Sequence, residues 1–346
     1  MLKAGIITFH NAENYGASLQ TYALMKTLQK LGCECKIIDY RNKGVFYRNL
    51  IKNFYYLFTF QNPIKNQQNF RYFRNNYLTL TKKSYSSAAD FEKDADQFDC
   101  LFFGSDQIWN PDLSNGFDNL YFGQFNTSSK KIAYAASFGR EKFSSSDLEL
   151  INHLVQNFKA ISVREQTMLP HLRQDAECVL DPCLLLSIQE WEEIIEKRVV
   201  NEDYILIYQL HQDKSIIATA KKLAKKNNCL IKVISPYLFL TGDRNIQIVG
   251  HITPNEFINL FCHADKILSD SFHGTGFSIL FQKPFYTFLP QKKAGRITSL
   301  LGKLNLSDRI TSINRIPLGK IDYQEVNRNL MNEINRSLAF IKKNLS

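Results

Sequence analysis

No stretch of this 346-residue chain approaches the roughly 20 consecutive apolar residues that a membrane-spanning helix needs. Residues 2–9 are largely apolar, but Asn11, Glu13 and Asn14 end the run too early for a secretory signal. No CxxC pair occurs, and the 7 cysteines are odd in number: Cys33, Cys35, Cys100, Cys178, Cys183, Cys229 and Cys262. Several lie in or beside apolar runs, where thiols pack as small hydrophobes. Reduced thiols in a cytoplasmic protein are therefore expected. Cys33-Glu34-Cys35 has no second Cys or His pair at ligand spacing, so no metal site is expected. GxGxxG and the P-loop are both missing, which leaves nucleotide binding by those loops unsupported. Internal repeats and low-complexity stretches are absent too.

What is present suits two globular units. The length favours two domains of ordinary size, and 44% hydrophobic residues supply enough apolar material for two cores. Lys and Arg total 43 against 33 for Asp and Glu, a net +10. A moderate excess of this sign favours anionic partners such as phosphorylated small molecules, acidic lipid or nucleic acid. A basic but inert surface explains it as well. No nucleic-acid recognition module accompanies the charge, so no nucleic acid is expected.

Short apolar runs alternate with helical patterns along the chain. Residues 4–9 read as a buried strand, 16–31 as a helix stopped by Gly32, and 35–40 as a second strand. Leu24, Leu28 and Leu31 share one face of that helix. Strand–helix–strand at this spacing is a βαβ unit with a right-handed crossover. Residues 41–83 interrupt the rhythm with interleaved aromatics, Lys and Arg and no acidic residue, and read as an insertion. Strands resume at 99–103, 131–136 and 160–163. Val179-Leu180-Asp181-Pro182 reads as a crossover, because Pro interrupts the pattern. A second series follows: strands at 204–209, 230–235, 246–249, 264–268 and 284–288, and helices at 215–226, 253–262 and from 277. An amphipathic helix closes the chain near 322–343. The fold class is therefore α/β, with two doubly wound, Rossmann-like domains facing a cleft. Their expected bounds are 1–181 and 182–320, and a C-terminal helix, 321–346, packs back on the first. Ligands in such sheets bind beyond the carboxyl ends of strands.

The loops at those ends hold the chemistry-bearing residues. After the first strand come Glu13, Asn14, Tyr15 and Gly16, at a helix start whose N–H groups suit an anion or serve ordinary capping. After the third come Ser105, Asp106 and Trp109, polar groups beside an aromatic face that suits a sugar or simply packs. The sharpest local signal is Ser269-Asp270-Ser271-Phe272-His273-Gly274-Thr275-Gly276. His273 follows a strand end, with Asp270 three residues before it and Thr275 two after it. A His so placed can exchange protons near neutral pH, or can be structural. His153 and His171 lie in polar surroundings without such neighbours. Arg164 and Arg296 each follow a structured segment and could clamp a phosphate or carboxylate through two hydrogen bonds.

In order along residues 4–310, Gly5–Phe9, Asn14–Gln20, Gly104–Trp109, Ala135–Gly139, Ser162–Glu165, Leu180–Pro182, Ser269–Thr275 and Gly295–Ile297 resemble the polysaccharide pyruvyl transferase family. The resemblance implies a two-domain fold similar to GT-B glycosyltransferases. It also implies phosphoenolpyruvate as co-substrate, no further cofactor, and a pyruvate ketal on a sugar of a surface polysaccharide, capsule or exopolysaccharide. The family's characteristic His matches His273. Several relatives carry a basic residue two places earlier, where this chain has Ser271, so Arg164, Arg296 or Lys283 would have to supply that charge.

The chemistry so implied needs a cation for the donor and two proton movements. His273 is the expected acid/base, with Asp270 orienting it or serving as base. Arg164, Arg296, Lys283, Ser271, Gly274 and Thr275 are the expected donor contacts. Glu13, Asn14, Tyr15, Gly16, Ser105, Asp106 and Trp109 are the expected acceptor contacts. The acceptor itself is a sugar or lipid-linked oligosaccharide, and residues 41–83 either touch anionic lipid at the inner membrane face or pack on the first domain. A nucleotide-sugar glycosyltransferase and a non-catalytic accessory protein of polysaccharide synthesis are the rival readings.

Overall fold

Runs such as Ile6-Ile7, Leu101-Phe102-Phe103 and Ile205-Leu206-Ile207 are buried on both faces, as strands of a parallel sheet covered by helices must be. The computed structural model describes residues 1–41, 63–114, 116–140, 142–195, 200, 202–227, 229–236, 243–290, 294–312 and 319–346. They divide into two compact units. The first is drawn from Met1–Leu57, Phe70–Leu185 and Asn332–Ser346, the second from Phe58–Asn69 and Leu186–Met331.

Among the described residues the first unit holds seven strands: β1 (Leu2–Ile7), β2 (Cys33–Tyr40), β3 (Leu80–Tyr85), β4 (Cys100–Phe103), β5 (Lys130–Ala136), β6 (Ala160–Val163) and β7 (Glu177–Cys178). They pair in the order β3-β2-β1-β4-β5-β6-β7, and every neighbouring pair is parallel. Helix α1 (Tyr15–Lys30) is capped by Asn14, whose side chain accepts from the Ala17 N–H at 3.0 Å. Further helices are α2 (Pro63–Tyr77), α3 (Ala88–Ala95) and α4 (Ser145–Leu154). The second unit repeats the plan with β8 (Tyr204–Tyr208), β9 (Leu230–Ile234), β10 (Ile246–Ile248), β11 (Lys266–Ser269) and β12 (Phe285–Thr287). Their order is β10-β9-β8-β11-β12, again all parallel. Its helices are α5 (Lys214–Asn227), α6 (Pro254–His263), α7 (Phe272–Leu280) and α8 (Gly295–Lys303). Thr253 and Glu256 cap α6 reciprocally. The last helix, α9 (Tyr323–Leu345), begins among residues of the second unit and ends among those of the first.

Each sheet reverses its strand order once, between β1 and β4 in the first unit and between β8 and β11 in the second. Two chain crossovers leave in opposite directions there, so the loops diverge and leave room for a ligand at the carboxyl edge.

Three expectations change. Residues 80–85 are not part of an interruption: β3 pairs with β2 at the sheet edge. Its pattern was obscured because an edge strand buries little, and only Tyr85 of the six is buried. The membrane or packing role foreseen for 41–83 falls largely on 42–62, outside the described residues. Within α2, Phe70 and Phe73 are buried beside Tyr15, Tyr22 and Tyr77. Helix α7 starts at Phe272, five residues ahead of the expected 277, because Ser271 caps it. Finally, Trp109 is not a platform for sugar. It is fully buried, stacked on Phe122 at 5.3 Å, packed by Phe138 and Phe158, and its Nε1–H donates to the Tyr121 carbonyl at 2.9 Å.

Trp109→Ala should therefore cost about 3–5 kcal/mol of stability. A lowered urea midpoint would show it, and an unchanged midpoint would refute the core assignment.

Candidate functional site

Parallel strands deliver their following loops to one edge, so each unit concentrates its polar residues there. In the first unit, the Gly104–Ser105 peptide is cis and Asp106 has φ +68, a left-handed conformation that Asp tolerates better than most residues. Asp106 faces Arg164, which follows β6. Arg164 Nη1 donates to Asp181 Oδ2 at 2.6 Å, and Nη2 donates to Asp106 Oδ1 at 3.4 Å. The Ser105 hydroxyl donates to Asp181 at 3.0 Å. Burial disfavours the Arg164 cation, but Asp181, Asp106 and Glu165 outweigh that and hold its pKa above the ordinary value. Glu165 accepts from the Ser137 hydroxyl and from the Gly139 N–H.

This cluster corrects two expectations. Arg164 is 3% exposed and its charge is met inside the unit by two carboxylates, so it is not a donor clamp. Ser105, fully buried, and Asp106 serve the same network rather than facing an acceptor. In the sequence Asp181 reads only as part of a crossover. The Asp-Pro pair after an apolar strand marked a turn, but nothing local showed that its carboxylate reaches back to the end of β6.

Asn14 is committed to capping α1, and Gly16 is buried in its first turn. Glu13 and Tyr15 remain partly exposed beside it. Next to them His10 Nε2 donates to Asp39 at 3.1 Å, and Ser84 and Arg41 donate to the same carboxylate. Burial alone would raise the Asp39 pKa, but those hydrogen bonds hold it well below the usual carboxylate range.

In the second unit, His273 is the second residue of α7, in its first turn, and the residue is 9% exposed. Its imidazole meets the Phe272 ring edge-on at 5.4 Å. Arg296 stands in the first turn of α8, on the same edge, with its guanidinium 5.8 Å from the Phe272 ring centroid. Ser271 is the α7 cap. Gly274 lets the helix approach its strand: a Cβ there would lie 2.2 Å from Ser269 Oγ. Gly274 is thus a packing position, not a donor contact. Thr275 is fully buried, donating to the Ser271 carbonyl at 3.0 Å and facing Thr287 Oγ1 at 3.1 Å, so it too is structural. Lys283 precedes β12 and so lies at the amino edge of the sheet, the wrong end to share a ligand with His273.

Asp270 also departs from its expected role. Its carboxylate accepts from the Leu210 N–H at 2.7 Å, from the His211 N–H at 2.8 Å and from His211 Nδ1 at 3.1 Å. Asp270 therefore orients His211, on the loop after β8. The sequence signal for His211, a His just beyond a strand end, is the same one that His273 carries.

Two outcomes test these assignments. Arg164→Met strips buried Asp181 and Asp106 of their cation and should cost about 3–5 kcal/mol, and Asp181→Asn, which leaves Arg164 only the longer contact to Asp106, should also destabilise. The double variant should recover part of that loss in a denaturation cycle, and strict additivity would contradict a coupled pair. For Asp39, whose folded pKa is depressed, the stabilisation is complete above its unfolded value of about 3.9. It is lost as pH falls through the lower folded value. Asp39→Asn should therefore flatten the acid limb of the stability–pH curve, and an unchanged limb would remove the linkage.

No curated relative matches the chain in sequence. Among solved structures, UDP-GlcNAc 2-epimerase from Methanocaldococcus jannaschii is similar, with 12% identity and a TM-score of 0.52 over 96% of this chain and 93% of that one. MnaA of S. aureus, solved with UDP, has 10% identity and a TM-score of 0.52 over 98% of this chain and 90% of that one. Likeness at this identity shows the fold, GT-B-like with two parallel Rossmann-type sheets. The model of the polysaccharide pyruvyl transferase family matches residues 14–291, which span both sheets. The chain belongs to the polysaccharide pyruvyl transferase family.

Proposed function

We propose that this protein transfers a pyruvyl group from phosphoenolpyruvate to two hydroxyls of a sugar in a polysaccharide repeat unit, forming a pyruvate ketal, and that the acceptor is lipid-linked. The observation that carries the reading is His273 in the first turn of α7, with Arg296 at the head of α8 on the same sheet edge. Phosphoenolpyruvate carries a carboxylate and a phosphate. Arg296 supplies a two-pronged donor for either group, and the positive end of α7 favours the other. Arg296 is thereby the cation that stands in for the basic residue replaced by Ser271. Glu13 and Tyr15 are the acceptor contacts in this reading, since they are partly exposed at the first unit's switch point.

Protonated His273 gives a proton to the methylene carbon as an acceptor oxygen bonds to C2 and its hydroxyl proton passes to a neighbouring base or to water. Phosphate then leaves with a proton from the second hydroxyl, whose oxygen closes the ketal. The scheme asks for no cofactor beyond the co-substrate. The family match favours it over nucleotide-sugar glycosyl transfer and over an accessory role without chemistry. No helix among the described residues is long and apolar enough to cross a membrane, so a lipid-linked acceptor would be met from the membrane surface.

The direct test uses membranes from a strain lacking the gene as acceptor source and phosphoenolpyruvate labelled in its pyruvyl carbons. Label should enter glycan with release of phosphate. His273→Ala should lower the rate about 10²–10⁴-fold. Arg296→Met should chiefly raise KM for phosphoenolpyruvate. A folded His273→Ala protein with full turnover would refute the assignment.

A further inference from the structure

We infer that Asp270 and His211 form a second proton-transfer pair, in which His211 Nε2 takes the proton from the acceptor hydroxyl that attacks C2. The inference rests on the pyruvyl-transfer reading above and adds a base to it.

The geometry is that of an oriented imidazole. Asp270 follows β11 directly, and its side chain is 3% exposed. Its two oxygens accept the Leu210 and His211 backbone N–H groups and face His211 Nδ1. An ionised carboxylate only accepts, so Nδ1 carries the hydrogen and Nε2 keeps its lone pair. The imidazole side chain is 47% exposed, and among the described residues no protein group bonds to Nε2. The nearby polar groups are otherwise engaged: Gln209 Nε2 donates to the His211 and Asp213 carbonyls, and Asp213 Oδ1 accepts from the Ser215 N–H. His211 is thus the member of this loop that presents a basic nitrogen outward.

Its place in the sheet matters as much. Asp270 and His211 lie at the carboxyl ends of β11 and β8, the neighbours between which the strand order reverses. That is where a doubly wound sheet opens for a ligand. His273 begins the helix that follows Asp270. Two imidazoles on one edge separate the two proton movements. Neutral His211 accepts the hydroxyl proton as the C2–O bond forms, and Asp270 stabilises the resulting imidazolium. The C2–C3 π electrons take a proton from His273. Afterwards His211 returns a proton to water and His273 takes one back, so the pair of residues ends as it began.

The discriminating variant is His211→Asn, because the Asn amide can still donate to Asp270 while offering no proton-accepting nitrogen. In the labelled-phosphoenolpyruvate assay with gene-lacking membranes, His211→Asn and His211→Ala should both lose about 10²-fold or more in kcat. KM for phosphoenolpyruvate should stay close to that of the unaltered protein, and added imidazole should restore part of the His211→Ala rate. If His211→Asn keeps full turnover, or if imidazole fails to rescue a folded His211→Ala protein, His211 only ties down its loop and the inference falls. If the unaltered protein transfers no label, the pyruvyl-transfer reading falls and takes this one with it. If the unaltered protein transfers label, His273→Ala abolishes transfer and His211→Asn does not, this inference alone is overturned.

Discussion

Parallel pairing of every strand is the constraint from which the remaining structure follows. A parallel pair cannot be joined by a tight turn, so each connection must cross back over the sheet, and helices come to cover both faces. The strands must then be apolar on both sides, which is why β4, β6 and β8 are buried throughout. The same polarity delivers every strand-to-helix loop to one edge of its sheet. Candidate site residues as far apart in sequence as Glu13 and Arg296 owe their grouping within each unit to strand direction more than to any attraction between them.

Electrostatics at those edges is mostly self-contained. Arg164 is encircled by Asp106 and Asp181, and Asp39 by His10, Ser84 and Arg41. A lone charge at such burial would be costly, and each is tolerated because its partners are fixed by loops of neighbouring strands. These networks shape the first unit's edge and keep Ser105 and Glu165 from solvent. In the second unit Asp270 is likewise met by the loop after β8. His211 is half-exposed, while Arg296 and His273 stand at helix starts, where a ligand's negative charge is favoured.

Much of this was legible along the chain. Buried runs identify ten of the twelve strands found among the described residues to within a few residues; the exceptions are β7, whose two residues are too short to show a period, and β3, whose outward face is polar. Thr253 declares itself as a cap, and the ordered motifs point to the family that the comparison shows. Roles of individual side chains were less legible. Asp270 lies three residues from His273 in sequence, yet its carboxylate turns the other way, to the loop after β8, because Ser271 starts the helix and swings His273 into a separate turn. Gly274 and Thr275 looked like ligand contacts and are packing residues, since α7 lies against Ser269 and Thr287.

By itself the sequence determined the α/β class, the two parallel sheets, the positions of most loops and the family, because each depends on local hydrophobic period, turn chemistry or ordered motifs. Only the tertiary structure decided which charges meet. Asp181 with Arg164, Asp39 with His10 and Asp270 with His211 are separated by 17, 29 and 59 residues. Such pairings arise from strand order, which brings distant strand ends side by side and leaves no trace in the residues adjacent to either partner.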